Sequence, residues 1–206
     1  MSTFSSLFDL DTELSAVNSI LGSIGQAPIT DLEFANPEVA FVYRIFQDTV
    51  IDVVSEGWSF NSFSDVETIP DDDGYILIPQ NFLRVDASNN SYDRNSDYIV
   101  LGGRLYDKYN QTDVFTEPVY LSFILGSEWS DIPTVFKRYI IARASVRAAT
   151  QLVTNPQLVQ LLAQQEAYLR ASCLETECEQ GDYSYFGNGS GTTYRSYQPF
   201  NALNRF

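Results

Sequence analysis

Residues 36–70 read "NPEVAFVYRIFQDTVIDVVSEGWSFNSFSDVETIP". Two periodicities meet in this stretch, and the fold turns on where they meet. Asn36 is a helix-capping residue and Pro37 suits a first turn, because its missing N–H would have had no partner there. Val39, Val42, Phe46, Val50 and Val53 then recur at three- and four-residue steps, which makes one face of a helix. Phe41, Tyr43 and Ile45 add apolar surface elsewhere, so this helix is expected to have neighbours on more than one side. Gly57 ends it. From Trp58 the texture changes to short β-branched and aromatic runs, the mark of strands.

The strand texture continues through "GYILIP", "FLRVDAS", "DYIVLGGRLYD" and "PVYLSFIL", separated by Asp, Asn, Gly and Pro clusters. One antiparallel sheet of four to six strands is predicted, with a tight hairpin through Gly102–Gly103. Helices flank it. Upstream, Asp11 or Thr12 can cap a helix whose stripe is Leu14, Val17, Leu21 and Ile24, closed by Gly25 in the left-handed conformation. Downstream, "SDIPTVFKRYIIARASVRAATQLV" is a third helix, capped by Ser130 or Asp131 with Pro133 in its first turn. "NPQLVQLLAQQEAYLRASCLETECEQG" is a fourth, capped by Asn155 and opened by Pro156. The short joint between the last two predicts an antiparallel pair.

The expected fold is therefore α+β: an antiparallel helical bundle of four main helices from residues 1–57 and 131–180, a β-rich insertion over 58–130, and an extended C-terminal arm over 181–206. The arm mixes linker residues with Tyr183, Tyr185, Phe186, Tyr194, Tyr197, Phe200 and Phe206. Seven large rings are costly to leave in water. The arm is expected to bury them on another chain, with Arg195 among its contacts.

Charge narrows the function. The chain has 206 residues and a formal net charge of -15. Residues 1–57 hold nine acids and one base, residues 58–130 twelve acids and four bases, and residues 131–206 six acids and seven bases. The first two thirds would repel nucleic acid, which is held through Lys and Arg. In the last third Lys137, Arg138, Arg143 and Arg147 form a basic stripe. It either pairs with nearby acids or meets the acidic face of a neighbouring copy.

No catalytic, metal or cofactor site is expected. Histidine is absent, which removes the commonest general base and the commonest metal ligand. Cys173 and Cys178 are five apart, on different faces of a helix, so neither a disulfide nor a shared metal is expected. "DDDG" at 71–74 lacks the alternate spacing of a calcium loop. "DRNSDY" begins with that spacing at Asp93, Asn95 and Asp97 but places Tyr98 where Gly is needed and Arg104 where Glu is needed. "LGGR" and "GNGSG" lack the lysine of a phosphate loop. Paired carboxylates could still hydrolyse glycosides. No basic leader or membrane-length apolar run is visible, so synthesis in the cytoplasm and no membrane insertion are expected.

Four stretches, in order, carry a resemblance: "ELSAVNSILGSIGQAPITDLE" (13–33), "SEGWSFN" (55–61), "GGRLYDKYNQTDVF" (102–115) and "DIPTVFKRYIIARASVRAA" (131–149). Together they resemble the tail tubular protein A family of podovirus bacteriophages, the tail adaptor or gatekeeper proteins. The resemblance implies a structural protein of the virion tail. It implies a homo-oligomeric, dodecameric ring beneath the portal protein, with the nozzle (tail tubular protein B) docked below and tail fibres near the junction. Such a ring retains packaged DNA and conducts it on ejection without binding it specifically. The alternative reading is a carbohydrate-active or glycan-binding tail component.

Overall fold

The computed structural model describes residues 12–32, 36–88, 97–153 and 155–180. The arm residues Tyr183, Tyr185, Phe186, Tyr194, Arg195, Tyr197, Phe200 and Phe206 lie outside the described residues, as do Asp93 and Asn95. The chain is α+β, with four α-helices and antiparallel sheets among the described residues. It splits into two compact units. One comprises Met1–Phe60 and Gly126–Thr176, the other Asn61–Leu125 and Glu177–Phe206.

In the first unit, α1 spans Glu13–Ser23 and α2 spans Pro37–Ser55. The Thr12 hydroxyl accepts from the Ser15 N–H, and the Asn36 side chain accepts from the Glu38 N–H. Gly25, at φ +82°, ends α1 with its N–H on the Gly22 carbonyl, while the Gln26 N–H reaches back to the Leu21 carbonyl. This left-handed closure satisfies carbonyls that the helix itself leaves open. The buried stripe of α1 is Ala16, Val17, Ile20 and Leu21, so Leu14 and Ile24 sit at its edges rather than within it. In α2 the buried arc widens to Ile45, Thr49 and Val54 beside Val39, Val42, Phe46 and Val53, but Phe41 stays exposed and Tyr43 is only partly buried, so the expected second apolar side is carried by Ile45 alone of the three.

A 3-10 turn at Trp129–Asp131 leads to α3, Thr134–Leu152. Neither Ser130 nor Asp131 caps it: Pro133 occupies the cap position and no side chain closes the first turn. Ser130 is used otherwise, its carbonyl accepting from Lys137 Nζ at 3.2 Å. Ala142, Ala144, Ala148 and Ala149 are buried along α3. Small side chains let neighbouring helices approach closely, and α3 packs against both α1 and α2. Phe46, Trp58, Trp129, Phe136, Tyr139 and Ile140 fill the core between them. Each large side chain so buried contributes about 1.5–3 kcal/mol.

The last helix, α4, spans Pro156–Gln180, and the Asn155 side chain accepts from the Gln157 and Leu158 N–H groups. It has one buried residue, Cys173. It meets α3 where the Cys173 thiol lies 3.6 Å from the Val135 carbonyl and where Arg170 reaches Tyr139.

Among the described residues the second unit holds five strands: β1 (Ser62–Thr68), β2 (Phe82–Ala87), β3 (Tyr98–Leu101), β4 (Arg104–Asp107) and β5 (Val119–Leu125). They form two sheets rather than the single one predicted. One has the order β1-β5-β2, the other is the β3-β4 hairpin. "GYILIP" supplies only an isolated bridge, Leu77 to Arg104. The hairpin turns at Gly102 and Gly103 as predicted, at φ +62° and +79°, which only glycine adopts cheaply. The core of this unit is Ile76, Ile78, Leu105, Val119 and Leu121.

Candidate assembly site

The four stretches that carry the resemblance are joints of the fold. In the first, Asn18 clamps the loop after α1: its Oδ1 accepts from the Ile29 N–H at 2.8 Å and its Nδ2 donates to the Ile29 carbonyl at 2.9 Å. In the second, Gly57 turns the chain at φ +79°. Trp58 and Phe60 then pack their rings on Phe136, at 4.8 and 5.0 Å between centroids. The Trp58 indole N–H donates to the Val53 carbonyl. Asn61 ties the entry of its unit to the exit, donating to the Leu125 carbonyl at 2.9 Å while the Leu125 N–H returns to the Asn61 carbonyl.

The third stretch is the hairpin and the loop after it. Asp107 is buried, and its carboxylate accepts from the Tyr109 and Asn110 N–H groups and from Asn110 Nδ2. The fourth stretch is α3, which presents both core and charge. Glu56, at the C-terminal cap of α2, accepts from Arg143 at 2.7 Å and pairs with Arg170 at 3.2 Å. The Tyr139 hydroxyl accepts from the same two guanidinium groups, at 3.1 and 2.6 Å. Arg147 pairs with Asp52 at 2.6 Å and donates to the Thr49 hydroxyl.

These pairings have electrostatic signatures. Burial works against the Arg143 charge, but the Glu56 hydrogen bond and the nearby Tyr139 outweigh it and hold its pKa above the ordinary value. Arg170 is raised chiefly by its hydrogen bonds to Tyr139 and Glu56. Burial pushes the Cys173 thiol up to about 11, with Arg170 opposing and Glu56 assisting. Cys173 is an inert core thiol and Cys178 is exposed.

The basic stripe is therefore distributed rather than continuous. Arg143 and Arg147 have acidic partners on α2. Lys137 is 2% exposed, its ammonium on the Ser130 carbonyl and 5.7 Å from the centre of the Trp129 ring. Arg138 is exposed, with no acidic partner among the described residues. Sequence reasoning missed Glu56, Asp52, Tyr139 and Arg170. Only tertiary packing brings them together.

Of possible reaction chemistry, an open cavity of about 330 Å³ in the β-rich unit is lined by Ser62, Ser64, Arg84, Asp86, Ser122 and neighbours. Arg84 and Asp86 stand 3.7 Å apart and largely in solvent. It holds one carboxylate, whereas glycoside hydrolysis needs two. Among the described residues no group of acids and cysteines could hold a metal ion, and no helix is long and apolar enough to cross a membrane.

A family model described as Tail tubular protein matches residues 14–183. The chain belongs to the tail tubular protein family. A relative called Tail tubular protein A, from Klebsiella phage KP34, is 32% identical over 123 residues, which cover 59% of this chain and 62% of that protein. The family is structural, and this member is a component of a bacteriophage tail. The resemblance rested on motifs that the structure shows to be folding joints, so kinship and fold are read from the same residues.

Proposed function

We propose that this tail tubular protein is the tail adaptor. In this reading it forms a dodecameric ring between the portal protein and the nozzle, with tail fibres attaching near the junction. The ring retains packaged DNA and gives it a route out on ejection. It is not an enzyme. The observation that carries the reading is the family match across residues 14–183, joined to a surplus of acid over base that leaves a passing duplex unbound.

The parts divide the work. Residues 1–57 and 131–180 are the helical bundle that builds the ring body, and residues 58–130 are the β-rich insertion. Residues 181–206 are an extended arm that straps the subunit to the portal or a neighbour. Arg138, with the outer edges of Arg143 and Arg147, meets acids of the adjacent subunit. Ring closure needs such unlike faces.

The test mixes the purified chain with portal protein and images the product. A ring on the portal is expected, and absence of both ring and portal complex overturns the reading. Deleting residues 182–206 is expected to leave the circular dichroism of a folded chain yet abolish attachment. A cell-wall and capsule digestion assay is expected to show no activity.

A further inference from the structure

Helix α4 is 25 residues long, yet Cys173 is its one buried side chain, whereas α3 buries nine over 19 residues. Along the edge that Cys173 marks, Leu158, Leu162, Glu166 and Leu169 recur at helical spacing, but each is only partly covered. Within Pro156–Thr176, packing on the core and hydrogen bonds to other helices fall at Leu169, Arg170 and Cys173. Burial of one apolar face is what holds most helices in place, and α4 has little of it.

Arg170 is the polar catch. Its guanidinium donates to the Tyr139 hydroxyl at 2.6 Å and pairs with Glu56 at 3.2 Å. Both of these partners have a second donor. Arg143 reaches the same Glu56 carboxylate at 2.7 Å and the same Tyr139 hydroxyl at 3.1 Å. When Arg170 leaves, neither the carboxylate nor the buried phenol is left unsatisfied, so the usual penalty for breaking a buried polar contact does not arise. Arg170 is already 44% exposed, and its charge returns to water at little cost. The seat on α2 and α3 is complete without α4.

We infer that α4 is a releasable helix. Its Pro156–Thr176 part comes away from α3 while α1, α2 and α3 stay folded, and the Arg170 catch sets how often this happens. Release bares Leu169 and Cys173 and opens the Tyr139 hydroxyl to water. Segments with few buried contacts open in this local way, ahead of the global transition. The device goes beyond the adaptor reading and operates in the free subunit, so it stands or falls separately from the ring.

Hydrogen exchange of the full chain, read by mass spectrometry, tests it over residues 166–176, the turns that hold the anchors. Relative to intrinsic rates, these are expected to exchange at least about tenfold faster than the buried stretch 136–149 of α3. Their exchange should also depend less steeply on urea, because a local opening exposes less surface than global unfolding. Arg170→Gln is expected to speed 166–176 by a further several-fold and leave 136–149 unchanged, and raised salt to act in the same direction. Cys173→Ala, which spares the catch, should again speed only 166–176. One shared rate and one urea slope for both segments would overturn release. So would Arg170→Gln that speeds both segments equally or loses the circular dichroism of the folded chain, since the core would then depend on α4. No change over 166–176 in Arg170→Gln would overturn the catch.

Discussion

Arg143 and Glu56 form a 2.7 Å ion pair that fixes the middle of α3 to the C-terminal cap of α2. Both side chains are less than a third exposed, and Arg170 shares the same carboxylate. The pair is therefore part of a network, the setting in which partly buried charges contribute more than isolated surface pairs. Glu56→Gln keeps the shape and removes the charge from under two guanidinium groups. It should lower unfolding stability by about 1–2 kcal/mol, read as a shift in urea midpoint. The loss should shrink in high salt, because screening already weakens the wild-type pair. An unchanged midpoint at low salt would show the network to be incidental.

Tyr139 is 1% exposed and its hydroxyl takes hydrogen bonds from both Arg143 and Arg170. Tyr139→Phe keeps the packing and leaves two donors short of an acceptor. It should cost about 1–3 kcal/mol. In the Glu56→Gln background the effect should differ from that in wild type, because the two residues serve the same guanidinium groups. Strict additivity in the double-mutant cycle would count against a shared network.

How much of this was legible beforehand follows from sequence distance. The Thr12, Asn36 and Asn155 caps, the Gly25 closure and the Gly102–Gly103 hairpin were readable because donor, acceptor and turn lie within a few residues. The partners of Arg143 and Arg147 lie 87 and 95 residues away, so their pairing with α2 was invisible to local pattern. The failed cap at Ser130 and Asp131 has a local origin: the 3-10 turn and the Lys137 contact claim the segment that a cap would use. The bulge in β1 between Phe63 and Val66, with Asp65 at φ +58°, was equally invisible, because it interrupts pairing with β5, more than fifty residues later in the chain.

Gly74 sits at φ +84°, and a Cβ there would lie 2.8 Å from Val114 Cγ1 and 3.2 Å from the Phe115 carbonyl oxygen. Gly74→Ala combines left-handed strain with a steric clash. It should destabilise the β-rich unit by more than about 1 kcal/mol, seen as faster amide exchange over residues 74–78 and 104–107. Adding Val114→Ala relieves only the side-chain half of the clash, so recovery should be partial. Full recovery would show that backbone strain contributes nothing.

Asp107 organises the loop that follows β4 by accepting three hydrogen bonds while 6% exposed. Asp107→Ala leaves those donors unmatched and should cost about 1–3 kcal/mol. The loss should localise, with new protease cutting within residues 108–113. Cutting elsewhere, or none, would mean that the loop is held by other contacts.

Cys173 provides a stability test with a defined sign. Its thiol is raised from the usual 9.0 to about 11, first by burial. Between those values the unfolded chain has lost the thiol proton and the folded chain has kept it. The folded state then binds more protons, so stability falls as pH rises. The thiol's contribution is complete below about pH 9 and disappears as pH passes about 11. All other groups are common to both chains, so the readable quantity is the difference from Cys173→Ala. That variant loses some packing at every pH but should show a shallower decline between pH 9 and 11. The same burial predicts that a thiol reagent labels exposed Cys178 quickly in the native protein and Cys173 only on unfolding. Parallel pH profiles for wild type and Cys173→Ala, or rapid labelling of two thiols in the native protein, would show that α4 does not hold Cys173 closed against α3.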